Sequence, residues 1–180
     1  FEPSLAQLHY REKLIRLPNL GAAQFPPVQP IRILNRQYFQ LPEDKVIFVS
    51  CANGLKHPKD RDELFIRILQ QAPNAVIALK PFSSFNNVDD SLTKRLKETA
   101  EKAGVGERLL VLNPLQESSD LLNLLSLCDV QLDTYPYGGW TTNMEAVYAG
   151  LPIVTQEGRM ARTRWGAGIL RAMGIREGIA

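Results

Sequence analysis

The fold of this chain is decided by one stretch near its carboxyl end, Leu132-Asp-Thr-Tyr-Pro-Tyr-Gly-Gly-Trp-Thr-Thr-Asn-Met-Glu-Ala-Val-Tyr-Ala-Gly-Leu-Pro-Ile-Val-Thr155. A short apolar strand, Val130 to Leu132, runs into a turn of proline and glycine, and Thr141 and Thr142 then open a helix. A second buried strand, Ile153 to Thr155, follows that helix. The pattern predicts a strand, a turn, a helix and another strand in immediate succession.

The turn in this stretch has the chemistry of a site for a phosphorylated nucleoside. Gly138 and Gly139 let a ligand approach the backbone closely, and the free amides at the helix start face its phosphates. Glu145, one turn into the helix, can accept hydrogen bonds from ribose hydroxyls. The same spacing, Thr142-x-x-Glu145, is also that of a capping box, in which the two side chains bond backbone amides. The two roles are compatible, and the spacing alone leaves both open.

Composition excludes several classes of protein. The chain has 180 residues with 21 basic and 19 acidic side chains, and its net charge of +2 is dispersed, so we expect no nucleic-acid partner. No apolar run approaches the roughly 20 residues that cross a bilayer, and no signal peptide is expected. Cys51 and Cys128 lie in apolar stretches, which predicts free thiols and a cytoplasmic location. His9 and His57 have no partner at metal-ligand spacing, so no metal site is predicted.

The chain divides into two predicted parts. Residues 1–41 contain five prolines, which predicts an extended connector rather than a long helix. Residues 42–180 are strongly periodic and are predicted to form one domain. Because the chain opens on Phe1 and closes just after a helix-like segment, we expect it to be a fragment of a larger protein.

Five strand–helix pairs are predicted in the second part. Continuous apolar strands indicate a sheet that is covered on both faces. The fold class is therefore α/β, a Rossmann-like open and mostly parallel sheet with helices on both faces. No GxGxxG follows the first strand, so a nicotinamide or flavin dehydrogenase is not expected. The predicted strands are 45–50, 75–79, 108–112, 130–132 and 151–155, and the predicted helices are 59–71, 89–103, 118–127, 141–149 and 162–173, with residues 118–120 capping the third helix.

Candidate ligand-binding residues follow the carboxyl ends of these strands, where ligands bind in open α/β sheets. They are Asn53, Lys80 to Phe82, Asn113-Pro114 and residues 135–142. Lys80 is either a phosphate ligand or a solvated lysine at a strand end. Asp133 is expected to bond the amides of the turn rather than to act as a base.

The quoted stretch resembles the C-terminal catalytic half of the O-GlcNAc transferase and SPINDLY family, which are inverting glycosyltransferases with two Rossmann-like domains (GT-B architecture). Two further segments carry the resemblance: Glu12-Lys-Leu-Ile-Arg-Leu-Pro18 resembles the segment that links the two domains, and Pro73-Asn-Ala-Val-Ile-Ala-Leu-Lys80 resembles the second strand. Gly158 and Arg164 stand where the family has its glycine loop and the following helix start. Arg164 is our candidate among the nearby arginines for contacting an anionic ligand.

The resemblance implies a role for each matching residue. Thr141 and Thr142 would bind the diphosphate and Glu145 the ribose, while either Lys56 or His57 would contact phosphate. Backbone groups around Asn113 to Gln116, with Pro114 and Leu115 among them, would frame the base.

The resemblance also implies the reaction. The donor would be a UDP-sugar carrying N-acetylglucosamine, and the acceptor a hydroxyl group of a protein. No metal ion or other cofactor is expected. An N-terminal Rossmann-like domain of the same polypeptide would supply the catalytic base, which we therefore do not assign in this chain.

Two positions depart from the family pattern. The family usually has His before the two threonines and Asp at the ribose position, whereas this chain has Trp140 and Glu145. Tryptophan lacks the imidazole hydrogen bond but can stack on a base or sugar. Three alternatives therefore stay open: a retaining GT-B transferase, a nucleotide-sugar epimerase, and a non-catalytic interaction module in which Trp140 fills the pocket.

Overall fold

The computed structural model describes residues 2–80 and 86–180, and these residues form a five-stranded parallel sheet. The predicted fold class is confirmed. The sheet order is β3-β2-β1-β4-β5. The strands are β1 (Val46–Ser50), β2 (Ala75–Leu79), β3 (Leu109–Val111), β4 (Val130–Leu132) and β5 (Ile153–Val154).

A helix follows each strand in the chain. The helices are α1 (Asp62–Gln71), α2 (Asn86–Lys102), α3 (Asp120–Ser126), α4 (Thr141–Tyr148) and α5 (Trp165–Ala172). The predicted bounds are confirmed for β2 and β4, and α4 begins at the predicted Thr141. The first turn predicted for α1 is a separate 3-10 turn, Lys59–Arg61, and α5 begins later than predicted because 3-10 turn Ala161–Thr163 precedes it. Pro81 and Phe82, two of the candidate ligand residues, lie outside the described residues.

The core consists of two apolar layers, one on each face of the sheet. Alternate residues of a strand point to opposite faces, so Ile47 and Val49 join one layer while Phe48 packs against the other. The first layer is completed by apolar residues of α3, α4 and α5, and the second by those of α1 and α2. This double cover explains the continuous apolar strands of the sequence.

The strand order places a crevice beside β1. Chain connections leave β1 toward β2 on one side, and β4 pairs with β1 on the other. A parallel sheet binds ligands at such a reversal of strand order, outside the carboxyl ends of the strands. The loop after β1 and the turn after β4 therefore face each other across the crevice.

Residues 2–41 run along the domain and join it at a few points. A short 3-10 helix, Ala6–His9, is their one helical turn, and Phe39 and Leu41 are buried in the first core layer. The Arg36 side chain donates to the backbone carbonyls of residues 42, 43, 45 and 127 at 3.1–3.2 Å. The division of the chain at residue 41 stays a prediction. Across the described residues, no helix is both long and apolar enough to cross a membrane.

One predicted helix cap is wrong, and a second cap that the sequence left open does not form. Over the residues that the structure describes, neither α3 nor α4 receives a side-chain hydrogen bond at its N-cap. Asp120 instead accepts from the Glu117 amide and from Arg32, and the N-cap of α4 is Trp140. The capping box Thr142-x-x-Glu145 therefore does not form, which frees Glu145 from the local role that its spacing allowed.

Candidate functional site

The glycine turn, residues 133–140 after β4, is built on the carboxylate of Asp133. One oxygen of this carboxylate accepts from the Thr134 amide at 2.9 Å and from the Gly139 amide at 2.7 Å. The other oxygen accepts from the Thr155 hydroxyl at 2.8 Å. Burial raises the pKa of the Asp133 carboxyl, and the hydrogen bonds from Gly139, Thr155 and Asn143 oppose that shift. The prediction that Asp133 bonds the turn amides is confirmed.

Glycine is required where the chain crowds this carboxylate. A methyl group built on Gly138 would lie 3.1 Å from Asp133 Oδ2, and one built on Gly166 would lie 2.6 Å from the same oxygen. A methyl group on Gly139 would overlap Thr142 Oγ1. Any side chain at these positions would therefore push the turn away from the start of α4 and α5.

The start of α4 carries the two threonines of the candidate phosphate site. Thr141 is exposed, Thr142 is half-buried, and the Thr142 hydroxyl lies over the turn at Gly139. Asn143 is fully buried and its amide donates to the Gly139 carbonyl at 2.8 Å. The first N–H groups of a helix have no partner inside the helix, so the turn and α4 together present donors to an anion.

Lys56 lies across the crevice from this turn. Its ammonium donates to the Gly138 carbonyl at 3.2 Å and sits 4.8 Å from the centre of the Tyr137 ring. Burial lowers the pKa of Lys56, and the Asp133 carboxylate works against that shift. Of the two phosphate candidates after β1, Lys56 is the one that the fold brings to the glycine turn.

His57 points the other way, into the protein. Its ring is buried and packs against Phe65 of α1 at 5.7 Å between ring centres. Burial, with help from Arg95, lowers the pKa of His57 to about 4. The Arg95 guanidinium holds the His57 carbonyl at 2.8 Å and pairs with both carboxylate oxygens of Asp62. His57 is thus a neutral buried residue that anchors the loop carrying Lys56.

The ion pair between Asp62 and Arg95 uses a carboxylate that could otherwise bind a metal ion. Asp60-Arg61-Asp62 has the Asp-x-Asp spacing that often holds a metal ion, and the sequence analysis did not single it out. Asp62 forms an ion pair with Arg95. Among the described residues, no three His, Cys, Asp or Glu side chains cluster as metal ligands would. Cys51 and Cys128 are both free thiols.

Glu145 faces a cavity of about 140 Å³. Ser118, Ser119 and the first turn of α3 form one wall, and Pro27 and Val28 of the connector form another. Burial raises the pKa of the half-buried Glu145 carboxyl. The carboxylate is therefore partly desolvated, in a cavity that two serines also line.

Pro114 and Leu115 line a second cavity of about 350 Å³, which also contains Asn113 and Gln116. Tyr38, Phe39 and Gln40, which come from the end of the connector, line the same cavity. The predicted base-framing loop therefore faces the connector, as the Glu145 cavity does.

The remaining candidates have structural partners. Asn53 accepts from the Leu55 amide at 2.9 Å and caps the 3-10 turn Gly54–Lys56. Arg164 pairs with Glu157 and donates to the Gly158 carbonyl at 3.0 Å. Lys80 is 6% exposed, so its interpretation as a solvated strand-end lysine is wrong. Trp140 is half-buried at the N-cap of α4.

The structure thus brings together one set of predicted residues and separates the others from it. Lys56, Gly138, Gly139 and Thr142 meet at the glycine turn, and Glu145 lies one helical turn away. Sequence reasoning missed three residues whose hydrogen bonds support this arrangement, namely Asn143, Thr155 and Arg95. A signal for Asn143 was available, because a polar residue three positions before the fully buried Ala146 occupies the inner face of α4.

The fold defines the class of protein first: a parallel, Rossmann-like domain of the kind that forms the C-terminal half of GT-B glycosyltransferases. A family model described as glycosyl transferase family 41 matches residues 19–180. The chain belongs to glycosyl transferase family 41, because that match covers most of its length.

Similar proteins agree with this assignment. The chain is 31% identical over 186 residues to the probable UDP-N-acetylglucosamine–peptide N-acetylglucosaminyltransferase SPINDLY of Petunia hybrida, covering 99% of this chain and 19% of that protein. It is 32% identical over 172 residues to the protein of the same name from Arabidopsis thaliana, covering 91% of this chain and 18% of that protein. The chain therefore spans about a fifth of the length of these relatives.

A solved structure shows the same similarity in three dimensions. A mutant of the O-GlcNAc transferase of Thermobaculum terrenum superimposes with a TM-score of 0.78 at 29% identity. The superposition covers 99% of this chain and 32% of that protein. The predicted resemblance to the O-GlcNAc transferase and SPINDLY family is confirmed.

Proposed function

We propose that this chain is the donor-binding half of a glycosyltransferase, which moves N-acetylglucosamine from a UDP-sugar to a hydroxyl group of a protein. One observation carries the proposal: the Lys56 ammonium lies 3.2 Å from the Gly138 carbonyl, directly before the amides and threonines that open α4. A cation and a helix start on one glycine turn suit a diphosphate. The names of the SPINDLY relatives support the choice of donor and acceptor.

The proposed chemistry stabilises the departing diphosphate. Negative charge gathers on this group as the bond to the sugar breaks, so donors that bind it more tightly in the transition state lower the barrier. Lys56 has three N–H donors and uses one on the Gly138 carbonyl, which leaves two for phosphate oxygens. The first amides of α4 and the hydroxyls of Thr141 and Thr142 supply the others.

The nucleoside end is proposed to lie between Glu145 and the loop at Pro114 and Leu115. Glu145 would accept from ribose hydroxyls in its cavity, and the loop backbone would frame the base. We include no metal ion in the proposal, because Lys56 and the helix start supply the positive charge. An N-terminal Rossmann-like domain would bring the acceptor and the catalytic base, and a cytoplasmic location remains part of the proposal.

The test is a calorimetric titration of the chain with UDP, GDP and ADP. We expect UDP to bind selectively, and Thr142→Ala or Glu145→Ala to weaken it about tenfold or more, because each removes one charge-assisted hydrogen bond. Thr99→Ala and Glu98→Ala on α2 are the matched controls and should bind UDP as the wild type does. A preference for GDP would keep the mechanism and change the donor. A folded chain that binds none of the three at millimolar concentration would refute donor binding by this chain.

A further inference from the structure

The connector contributes to the walls of both cavities at the nucleoside end of the site. Pro27 and Val28 line the cavity that Glu145 faces, and residues 38–40 line the cavity at Pro114 and Leu115. The two cavities flank the loop between β3 and α3, which contributes residues to each. A segment whose prolines predict a mere link thus lies beside the candidate ligand site at two separate places.

Polar contacts hold the connector against α3 between these places. The Arg32 guanidinium pairs with Asp120 at 2.8 Å, where the carboxylate is almost fully buried. The Asn123 side chain then binds the connector backbone twice, donating to the Arg32 carbonyl at 3.0 Å and accepting from the Leu34 amide at 3.3 Å. These bonds fix the path of the chain just after Val28. They therefore help to position Pro27 and Val28 at the cavity.

The Glu145 carboxylate in this cavity has unused hydrogen-bond acceptor positions. Within the described residues, the Glu145 carboxylate accepts no hydrogen bond and forms no ion pair, and burial alone shifts its pKa. Partly desolvated carboxylates are costly unless hydrogen-bond donors reach them. Ser118 and Ser119 line the same cavity, so a hydroxyl-bearing ligand that enters it meets two serines as well as the carboxylate.

Val28 takes part in this wall without belonging to the core. It is 74% exposed, and Ile31, three residues later, is 98% exposed. An apolar side chain that lines this cavity while most of its surface stays in water gains little hydrophobic stabilisation in the empty site. Its position is explained if it packs on a ligand.

From these contacts we propose that connector residues 27–28 form the outer wall of the ribose pocket, so that the ribose of a bound nucleotide is held between Val28 and the start of α3 against Glu145. The inference rests on the proposed function, since it takes the ligand to be a nucleoside diphosphate. It makes Val28 a specificity-determining residue of the donor site, although the residue lies more than a hundred positions before Glu145 in the sequence.

The experiment compares two ligands on three proteins. UDP and inorganic pyrophosphate are titrated by calorimetry into the wild-type chain, Val28→Asp and the matched control Ile31→Asp, with cooperative unfolding checked for each. Pyrophosphate reaches the glycine turn but has no ribose. We expect Val28→Asp to weaken UDP about tenfold, because a second carboxylate faces Glu145 across the cavity, and to leave pyrophosphate unchanged. Ile31→Asp should change neither affinity.

The outcomes separate this inference from the proposed function. If the wild type binds UDP and Val28→Asp binds it equally well, the wall is not at residue 28 and the donor site stands. The wall is likewise not at residue 28 if Val28→Asp weakens pyrophosphate as much as UDP, or if Ile31→Asp weakens UDP as much as Val28→Asp does. A wild-type chain that binds neither ligand would overturn the proposed function and this inference together.

Discussion

The glycine turn and the connector are attached to the domain in opposite ways. The turn at residues 133–140 is held by the half-buried Asp133 carboxylate, which accepts hydrogen bonds from two turn amides and from the Thr155 hydroxyl after β5. Glycines at three positions pack against this carboxylate. The connector is held at its end by the buried side chains of Phe39 and Leu41 and otherwise by a few polar contacts of Arg32, Arg36 and Asn123. Large apolar side chains in between are exposed, with Ile31 and Ile33 at 98% and 96%.

The difference corresponds to what each end of a nucleotide needs. Phosphate charge is stabilised by donors that are fixed before the ligand arrives, since preorganised dipoles do not have to reorient. A nucleoside wall needs shape rather than charge and tolerates adjustment. We therefore expect the turn to be the rigid half of the candidate site, and the connector, which fewer contacts hold, to be the more adaptable half.

Replacing Asp133 should have the largest effect on stability. Asp133→Ala leaves the buried amides of Thr134 and Gly139 without their acceptor, and we expect a loss of about 3 kcal/mol in the free energy of unfolding. Urea denaturation followed by circular dichroism measures it. Asp44→Ala, at an exposed side chain, is the control and should match the wild type. A loss below about 1 kcal/mol would mean that the turn does not depend on Asp133.

Removing the Arg36 side chain, which makes the most hydrogen bonds between the connector and the domain, should lower the free energy of unfolding by a smaller amount. Arg36→Ala removes donors from four backbone carbonyls, which can turn partly to water, so about 2 kcal/mol is expected in the same assay. Arg11→Ala, in the exposed part of the connector, should leave the unfolding free energy unchanged. If both variants behave alike, the connector is not fastened at Arg36 and the comparison with the turn fails.

The loop that carries Lys56 should behave as part of the rigid half, and pH tests this through His57. Burial holds the pKa of folded His57 at about 4, below its ordinary 6.5. The unfolded chain therefore takes up a proton first, so stability is complete above pH 6.5 and falls as the pH is lowered toward 4. The slope should approach about 1.4 kcal/mol per pH unit.

The measurement is a series of urea unfolding curves from pH 7.5 to 4.5 on the wild type and on His57→Gln. The variant should lack the contribution of His57 to the slope, whatever its absolute stability. The groups that face His57 are Asp62, Arg95 and Lys56, and all three are kept in the variant. His9→Gln, at an exposed histidine, should follow the wild-type curve. Parallel profiles for wild type and His57→Gln would show that His57 is not buried as described.

The smallest expected effect comes from removing a single methylene group, once in the core and once in the connector. Ile47→Val, in the fully buried core of β1, should cost about 1 kcal/mol, whereas Ile33→Val in the exposed connector should cost almost nothing. Thermal unfolding of the two variants in parallel gives the comparison. A measurable cost at Ile33 would indicate that the connector packs against the domain more closely than its exposure suggests.

Local sequence patterns predicted the elements better than the bonds between them. The bounds of β2 and β4 and the start of α4 were predicted correctly, because apolar runs and turn residues act within a few positions. The capping box at Thr142, which the sequence left open, does not form, since the glycine turn is held by Asp133 and Asn143 instead. Lys80 was left open between ligand and solvent, because its burial depends on which strands lie beside β2.

The sequence by itself determined the order of strands and helices and the placing of polar residues after each strand. Both follow from side-chain periodicity and from the backbone limits of proline and glycine, which are local. Only the tertiary structure decided that Asp133 meets Thr155 over 22 positions, Arg95 meets Asp62 over 33, and Lys56 meets Gly138 over 82. These contacts depend on strand order, and pairing β1 with both β2 and β4 is what brings distant loops to one crevice.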